Sequence, residues 1–457
     1  MYRLKQLTIL IIDLAVFYSS FFLTIWIRHW GATPQDSIVE LFPHLSLLYA
    51  IAVVIMFIVG LYDLPSNRNT LIFYRKLVTS AVLWAVVGVL YFYLNVQASV
   101  APKTILLLNT LIGFSLLALW RYLHNRFLSV SLWKYTVAFA GVTPEAIELI
   151  NLLNKEPQRG FKVVGIIDPQ NEQESSLLPT TCHASLTQLT STTKNGINLI
   201  VIAPHLTQNE PLLKELYTHI FDQIEIISLA EFYERITGRI PPFIFSESWF
   251  LTNLREQQKK IYDRFRILVD YIAALCIGVV FIATFPIIAL LIKTTRGPVF
   301  LRQKRVGRGG QPFTFIKYRS MVALTKDGSA EVHGPQFTSE NDPRITTVGK
   351  ILRVTRLDEL PQCLNIFQGH MSIIGPRPER PEFVEELIRN MPFYSLRHIV
   401  KPGLTGWASI NESYYGTINE NLRKLEYDLY YVKNRGPLID ISIILKTLST
   451  MIGMKGR

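Results

Sequence analysis

Four long apolar segments occupy the first quarter of the chain and limit what it can fold into. They cover residues 7–27, 41–61, 77–94 and 104–123. Each approaches the roughly 20 residues that a helix needs to cross the hydrocarbon core of a bilayer. They are apolar around the whole helix rather than along one stripe, which argues against a soluble four-helix bundle. With a hydrophobic share of 49% over 457 residues, the sequence predicts a membrane α-helical bundle over residues 1–130.

Lys and Arg residues flank these segments unevenly. One side carries Arg3, Lys5, Arg68, Arg75, Lys76, Arg121 and Arg126, and the other carries only Arg28 and Lys103. The positive-inside rule therefore places both ends of the bundle in the cytoplasm. Everything after Arg126 is expected to begin inside the cell.

A different pattern follows in residues 131–240. Short β-branched runs at 135–140, 163–168, 199–203 and 225–228 alternate with helical stretches, which predicts a small doubly wound, Rossmann-like α/β domain. Gly141 follows the first run, where a dinucleotide fold has its phosphate turn, but the later glycines of that fingerprint are missing and Glu145 would repel a phosphate. We favour a structural or regulatory domain over a working NAD site.

A fifth apolar run follows a predicted linker at 241–262, which is rich in aromatic residues and proline. The run covers residues 266–292 and is long enough to span a bilayer, yet basic residues flank it on both sides. Pro286 removes a backbone hydrogen bond inside the run and predicts a bend there. We therefore expect a re-entrant helix that enters the membrane, bends at Pro286 and leaves on the same face. The alternative is a kinked full span.

The net charge of +12 is compatible with nucleic acid, acidic substrates or an anionic membrane surface. The excess basic residues border apolar segments instead of interleaving with aromatic residues, which argues against nucleic acid. The three cysteines are about ninety residues apart and form no C-x-x-C pair. A zinc site or a disulfide framework is therefore not predicted.

Residues that could take part in catalysis or phosphate binding concentrate after position 300. Asp358 and Glu359 form an acidic pair in a basic neighbourhood, and a carboxylate can attack phosphorus to give an acyl phosphate. An alternative is that Asp358 and Thr355 form a capping box at a helix start, although Pro361 would disfavour it. Arg353 and Arg377 could equally be surface charges. Prolines on both sides of Arg377 hold its backbone in an extended conformation.

Five ordered motifs carry a family resemblance. They are residues 317–321, 342–344, Arg353 with 357–362, 375–378 and 401–408. In these motifs the chain resembles the monotopic bacterial phosphoglycosyl transferases, or polyprenyl glycosylphosphotransferases. Its full length is similar to larger members of the undecaprenyl-phosphate glucose phosphotransferase type, which place four spans and a Rossmann-like domain before the catalytic part. The resemblance implies an α-rich mixed catalytic domain at 263–457 that contains the re-entrant helix.

The resemblance also implies a reaction. A hexose-1-phosphate would pass from a UDP-sugar to undecaprenyl phosphate through a covalent phosphosugar on Asp358, with release of UMP, to initiate exopolysaccharide, O-antigen or capsule synthesis. Glu359 would assist, and Asp358 and Glu359 would hold Mg²⁺. The substrate phosphates would be bound by Lys317, Arg319, Arg353, Arg377 and Lys401.

The expected location is the bacterial inner membrane, with membrane lipids as partners and the catalytic domain on the cytoplasmic face. The family has a small residue before the bending proline, whereas this chain has Phe285. The sequence leaves a homodimer open. The alternative function is a non-catalytic, nucleotide-sensing membrane scaffold of a polysaccharide assembly system.

Overall fold

The computed structural model divides the chain into two compact units, Met1–Leu229 and Ala230–Arg457. It describes residues 2–31, 35–62, 69–94, 103–128, 135–168, 180–183, 185–192, 196–218, 224–242, 247–254, 259–330, 342–412 and 418–452. Arg68 and the aromatic residues Phe243 and Phe245 of the predicted linker lie outside these ranges. The predicted domain boundaries remain predictions.

Four long helices begin the first unit: α1 (Tyr2–Arg28), α2 (Gln35–Val59), α3 (Leu71–Leu94) and α4 (Lys103–Leu123). A π-helical turn, His124–Leu128, follows α4. Aromatic side chains such as Phe17, Tyr49 and Trp84 form the centre of the bundle, while many leucine and valine side chains point outward. All four helices are long and apolar enough to cross a membrane. The predicted helical N-terminal region is confirmed.

Polar side chains inside this bundle are paired. Arg121 contacts Asp13 at 2.6 Å, and both side chains are buried. Asn109 accepts a hydrogen bond from Tyr49 and donates one to Ser20. Ionisable groups in an apolar interior are costly unless they find such partners, so these contacts fix how α1, α2 and α4 pack.

A five-stranded parallel sheet completes the first unit. Its strands are β1 (Tyr135–Ala140), β2 (Phe161–Ile167), β3 (Cys182–His183), β4 (Leu199–Ile202) and β5 (Glu225–Ser228), in the order β3-β2-β1-β4-β5. The helices α5 (Pro144–Lys155), α6 (Leu186–Thr192) and α7 (Glu210–Thr218) connect them. Parallel neighbours require crossover connections of this kind, and the predicted parallel α/β arrangement is confirmed at this level. Gly141 adopts a φ of +94°, and an added Cβ there would lie 2.8 Å from Cε1 of His205.

The second unit begins with α8 (Leu229–Thr237), α9 (Glu247–Asn253) and α10 (Lys260–Ile292). An antiparallel hairpin follows, β6 (Phe300–Val306) with β7 (Pro312–Tyr318). The remaining elements are α11 (Thr347–Val354), a 3-10 helix (Leu357–Gln362), α12 (Cys363–Phe367), β8 (Ser372–Ile374), α13 (Pro381–Asn390), a second 3-10 helix (Tyr394–Ile399), β9 (Gly403–Thr405), α14 (Trp407–Asn411), α15 (Ile418–Asn434) and α16 (Pro437–Ile452). Strands β8 and β9 pair in parallel. In the predicted linker, Phe250 is buried with its ring centroid 4.6 Å from that of Phe393.

Helix α10 packs one face on the rest of its unit along most of its length. Near its start, Arg266 donates to Ser372 Oγ at 2.8 Å. Near its end, Ile288 and Ile292 are buried in a cluster with Tyr318. The opposite face exposes apolar side chains, among them Ile272, Leu275, Val279, Ile282 and Leu290. The helix is the fifth candidate membrane helix and runs continuously through Pro286, where the bend remains a prediction.

Candidate active site

The acidic pair lies on a short 3-10 helix that follows a sharp change of chain direction. Helix α11 ends at Val354, and Arg356 then adopts a left-handed φ of +59°. A non-glycine residue in this region is uncommon and often marks a functional turn. Thr355 Oγ1 donates back to Ile351 O at 2.8 Å, and the start of the 3-10 helix has no side-chain cap. The capping-box alternative for Asp358 is therefore wrong.

Asp358 presents a buried carboxylate. The residue is 6% exposed, and its Oδ1 has no hydrogen-bond partner in the described parts of the chain. Burial, together with the neighbouring carboxylate of Glu359, raises the pKa of Asp358 to about 6, although Lys317, Arg377 and Arg353 oppose this shift. An unpaired buried acceptor costs free energy, which makes Asp358 a candidate for a functional role.

Glu359 is also buried but is paired. Arg377 Nη2 donates to Glu359 Oε1 at 3.0 Å, and Arg356 Nη1 lies 3.6 Å from the same oxygen. Burial alone would raise the pKa of Glu359, but the guanidinium groups of Arg377 and Arg356 hold it below its ordinary value. Glu359 is thus ionised at neutral pH.

Three of the predicted cations surround this pair. Lys317 projects from β7, Arg353 from the last turn of α11, and Arg377 from the segment after β8. All three interact electrostatically with Asp358. Burial lowers the pKa of Lys317 to about 8, although Asp358 opposes that shift, and burial also lowers the pKa of Arg353. The Arg377 side chain is 39% exposed, so the cluster opens to solvent on its side.

The structure does not bring Arg319 to this cluster. Its guanidinium lies at the C-terminal end of α10 and donates to five acceptors: Pro298 O, Thr295 Oγ1, Met321 O, Ile292 O and Thr295 O. These bonds use all five of its N–H groups, which leaves none for a substrate phosphate. Lys401 is also elsewhere: it interacts with Asp270, Arg308 and Arg266. Both were predicted to bind substrate, and the geometry favours structural contacts for Arg319.

Sequence reasoning missed Asn365, which joins the acidic helix segment to the hairpin. This residue is fully buried on α12. Its Oδ1 accepts from Ile316 N at 3.1 Å and its Nδ2 donates to Thr314 O at 2.7 Å. A polar residue in the apolar run Cys363–Phe367 was the available signal, because a buried amide requires partners. Asn365 thereby fixes β7, which carries Lys317, beside Asp358.

The acidic pair is chemically suited to a divalent cation but cannot enclose one. No group of three His, Cys, Asp or Glu residues with ligand geometry occurs within the described ranges. Asp358 Oδ1 has no partner among the described residues, and Glu359 adds a second carboxylate. Mg²⁺ usually binds one or two carboxylates and takes its other ligands from water and substrate phosphates. These residues therefore fit a magnesium ion that arrives with a phosphate substrate.

The site combines a buried carboxylate with nearby cations on a unit that carries a helix long and apolar enough to cross a membrane, and these features are typical of a membrane-associated enzyme that handles phosphate groups. Residues 261–454 match the model of the bacterial sugar transferase family. The chain is 32% identical over 343 residues to the UDP-glucose:undecaprenyl-phosphate glucose-1-phosphate transferase of Klebsiella pneumoniae, with 72% of this chain and 70% of that protein covered.

Two further relatives cover less of the chain. The UDP-N-acetylgalactosamine-undecaprenyl-phosphate N-acetylgalactosaminephosphotransferase of Aeromonas hydrophila is 37% identical over 236 residues, which are 50% of this chain and 52% of that protein. The UDP-glucose:undecaprenyl-phosphate glucose-1-phosphate transferase of Escherichia coli K12 is 41% identical over 164 residues, or 35% and 34% of the two chains. This chain thus spans about half the length of the Aeromonas hydrophila relative and about a third of the length of the Escherichia coli relative. It belongs to the bacterial sugar transferase family, so the predicted family and the prediction of a transferase are confirmed.

Proposed function

We propose that this protein transfers a hexose-1-phosphate from a UDP-sugar to undecaprenyl phosphate, giving the diphosphate-linked sugar and UMP. The names of the three relatives reported above support the two substrates. The observation that carries the proposal is the buried Oδ1 of Asp358, which has no hydrogen-bond partner among the described residues and interacts electrostatically with Lys317, Arg353 and Arg377. The proposed pathway role is the initiation of exopolysaccharide, O-antigen or capsule synthesis.

In the first proposed step, Asp358 Oδ1 attacks the sugar-bearing phosphorus of the UDP-sugar. A new bond forms between oxygen and phosphorus, the bond from that phosphorus to the bridging oxygen breaks, and UMP leaves with the electron pair. Asp358 is ionised at neutral pH because its pKa is about 6. Lys317, Arg353 and Arg377 attract the charge that builds up on the phosphate oxygens.

In the second step, a phosphate oxygen of undecaprenyl phosphate attacks the same phosphorus and the bond to Asp358 breaks. The carboxylate is restored, so the scheme is a double displacement. Glu359, which is ionised beside Arg377, would accept a proton from the lipid phosphate. Asp358 and Glu359 would hold Mg²⁺, which would neutralise diphosphate charge when bound.

The proposed topology is a re-entrant α10 with the catalytic unit on the cytoplasmic face of the inner membrane. An isolated span would leave the polar unit at one end of the helix, whereas both the Arg266 and the Ile292 ends of α10 pack on that unit. The exposed apolar face then contacts lipid. We assign the parallel sheet to a Rossmann-like domain with a structural or regulatory role, since its order is that of doubly wound folds.

The test uses purified full-length protein in nanodiscs with a panel of UDP-sugars and undecaprenyl phosphate. We expect UMP release with at least one UDP-sugar. When the lipid is omitted and the sugar is radiolabelled, we expect the protein to carry at most one equivalent of labelled sugar per chain. Asp358→Ala should lose both signals. Glu382→Ala, which removes an exposed carboxylate on α13, is the matched control. Near-normal turnover by Asp358→Ala would exclude the covalent scheme.

A further inference from the structure

The backbone that carries Arg377 is held at each of four consecutive residues, 376–379. Prolines 376 and 378 have no N–H group, so this segment can be fixed mainly through its carbonyl oxygens. Each carbonyl accepts a hydrogen bond from a different residue: Gly403 N to Pro376 O at 2.9 Å, Arg397 Nη2 to Arg377 O at 2.9 Å, Arg305 Nη1 to Pro378 O at 3.3 Å and Val306 N to Glu379 O at 2.8 Å. The segment is a rigid base for the Arg377 side chain.

Arg397 is the contact at Arg377 itself, and its own position is fixed on two sides. Its Nε donates to Asp428 Oδ2 at 3.0 Å, and its Nη2 lies 2.7 Å from the same oxygen. Its Nη1 donates to the hydroxyl of Tyr394 at 2.7 Å. Arg397 and Asp428 are 2% and 1% exposed. The guanidinium therefore has one orientation in which it reaches Arg377 O.

This arrangement is hard to explain by stability alone. Taking both charges of an ion pair out of water costs free energy that the attraction between them often only offsets, and apolar residues of similar size can stabilise a fold as well. The pair lies directly behind the backbone of the arginine that bonds to Glu359. A chain of contacts thus runs from Asp428 through Arg397 and Arg377 to Glu359.

We propose that Arg397, oriented by Asp428, is a positioning residue for Arg377. It fixes the backbone from which the Arg377 guanidinium reaches both Glu359 and a substrate phosphate. The expected effect of Arg397 on turnover rests on the proposed function. Its expected effect on binding does not, because it applies to any phosphate ligand that Arg377 binds. Arg397 itself does not touch the substrate.

The experiment is a double-mutant cycle of Arg397→Lys and Arg377→Lys in the full-length protein. Lysine keeps the charge beside Asp428 but cannot reproduce the fork that reaches Asp428, Tyr394 and Arg377 together. Three quantities are measured for each protein: the Kd for UDP, kcat/KM for UMP release, and the melting temperature. The matched control is Arg239→Lys, because Arg239 forms a similarly buried pair with Glu426 on the same helix as Asp428.

We expect Arg397→Lys to lower kcat/KM by about 100-fold, the scale of a small misplacement in an active site. UDP binding should weaken as well, with the melting temperature close to that of the Arg239→Lys control. In the Arg377→Lys background, the further loss from Arg397→Lys should be below about threefold, because both changes act through one side chain. Equal losses in both backgrounds, or an equal loss in Arg239→Lys, would overturn the proposal.

Two outcomes separate this inference from the proposed reaction. If the wild-type protein binds UDP but releases no UMP, the proposed reaction is wrong. The double-mutant cycle measured on the Kd for UDP then still tests whether Arg397 positions Arg377. If Arg397→Lys does not fold, Asp428→Asn replaces it, since it keeps the size of the side chain but removes the charge that orients Arg397. That variant should show the same non-additivity with Arg377→Lys, and additive effects would refute the role.

Discussion

Arg377 Nη2 donates to Glu359 Oε1 at 3.0 Å, whereas Oδ1 of the adjacent Asp358 meets no donor in the part of the chain that the structure describes. Two neighbouring carboxylates on one 3-10 turn therefore have pKa values shifted in opposite directions. Such divergence often separates the roles of paired acids in active sites. Under the proposed function, Glu359 is ionised beside Arg377 before lipid binds, and Asp358 is the carboxylate that attacks the substrate.

Replacement of Asp358 by asparagine should stabilise the protein while it abolishes UMP release. The folded-state pKa of Asp358 is raised from 3.8 to about 6, so its ionisation opposes folding by on the order of 2–3 kcal/mol at neutral pH. This cost is present above the folded pKa and vanishes below the unfolded value. Thermal unfolding in detergent at several pH values should show the gain of Asp358→Asn at neutral pH and its loss toward pH 3.8. A lower melting temperature at neutral pH would contradict this prediction.

Replacement of Glu359 by glutamine should shift the acidic limb of the pH–rate profile for UMP release to lower pH. The negative charge of Glu359 helps to raise the pKa of Asp358, and its loss also releases Arg377 to act on Asp358. Single-turnover UMP release without the lipid should then persist at pH values below the wild-type limb near 6. Glu382→Gln serves as the control and should leave the limb in place. An upward shift in Glu359→Gln would show that another group governs the limb.

Lys317 is expected to set the alkaline limit of activity. Burial lowers its pKa to about 8, so its positive charge, and with it the attraction for substrate phosphate, is lost as the pH rises through that value. Lys317→Arg retains the charge at higher pH and should extend activity into the alkaline range, with some loss of rate from altered geometry. The check is kcat/KM for UMP release as a function of pH. An unchanged alkaline limb in the variant would exclude Lys317.

Arg319 should matter for stability rather than for phosphate binding. Its five N–H groups hold the end of α10 and the turn after it. A lysine has three donors, so Arg319→Lys would remove at least two of these five bonds, at about 1–3 kcal/mol for each buried group left unpaired, and should lower the melting temperature with little change in KM. Arg302→Lys, at an exposed position of β6, is the control. A large rise in KM without loss of stability would restore a substrate-binding role.

The re-entrant topology predicts that both ends of α10 are accessible from one side of the membrane. Arg264→Cys and Lys293→Cys, both exposed positions, would be introduced separately into a protein without its native cysteines. In inside-out vesicles, a membrane-impermeant maleimide should label both, but not a cysteine at Trp30 between α1 and α2. Labelling of Arg264→Cys alone would show that α10 spans the bilayer.

Local patterns in the sequence determined much of this protein. The length and uniform apolarity of five segments predicted the five long helices, because the bilayer sets a minimum helix length. The alternation of β-branched runs with helical stretches predicted the parallel sheet. The consecutive acidic residues Asp358 and Glu359 identified the two carboxylates of the candidate site, since residues that are adjacent in the sequence are adjacent in any fold.

Only the tertiary structure decided which cations join that centre. Lys317 and Arg319 are two residues apart, yet Lys317 faces Asp358 while Arg319 holds the end of α10. Asn365 and Arg397 act through bonds to residues about 50 and 20 positions away. The number of residues between such positions does not predict their distance in space. That distance depends on how the hairpin, the short helices and α15 pack against one another.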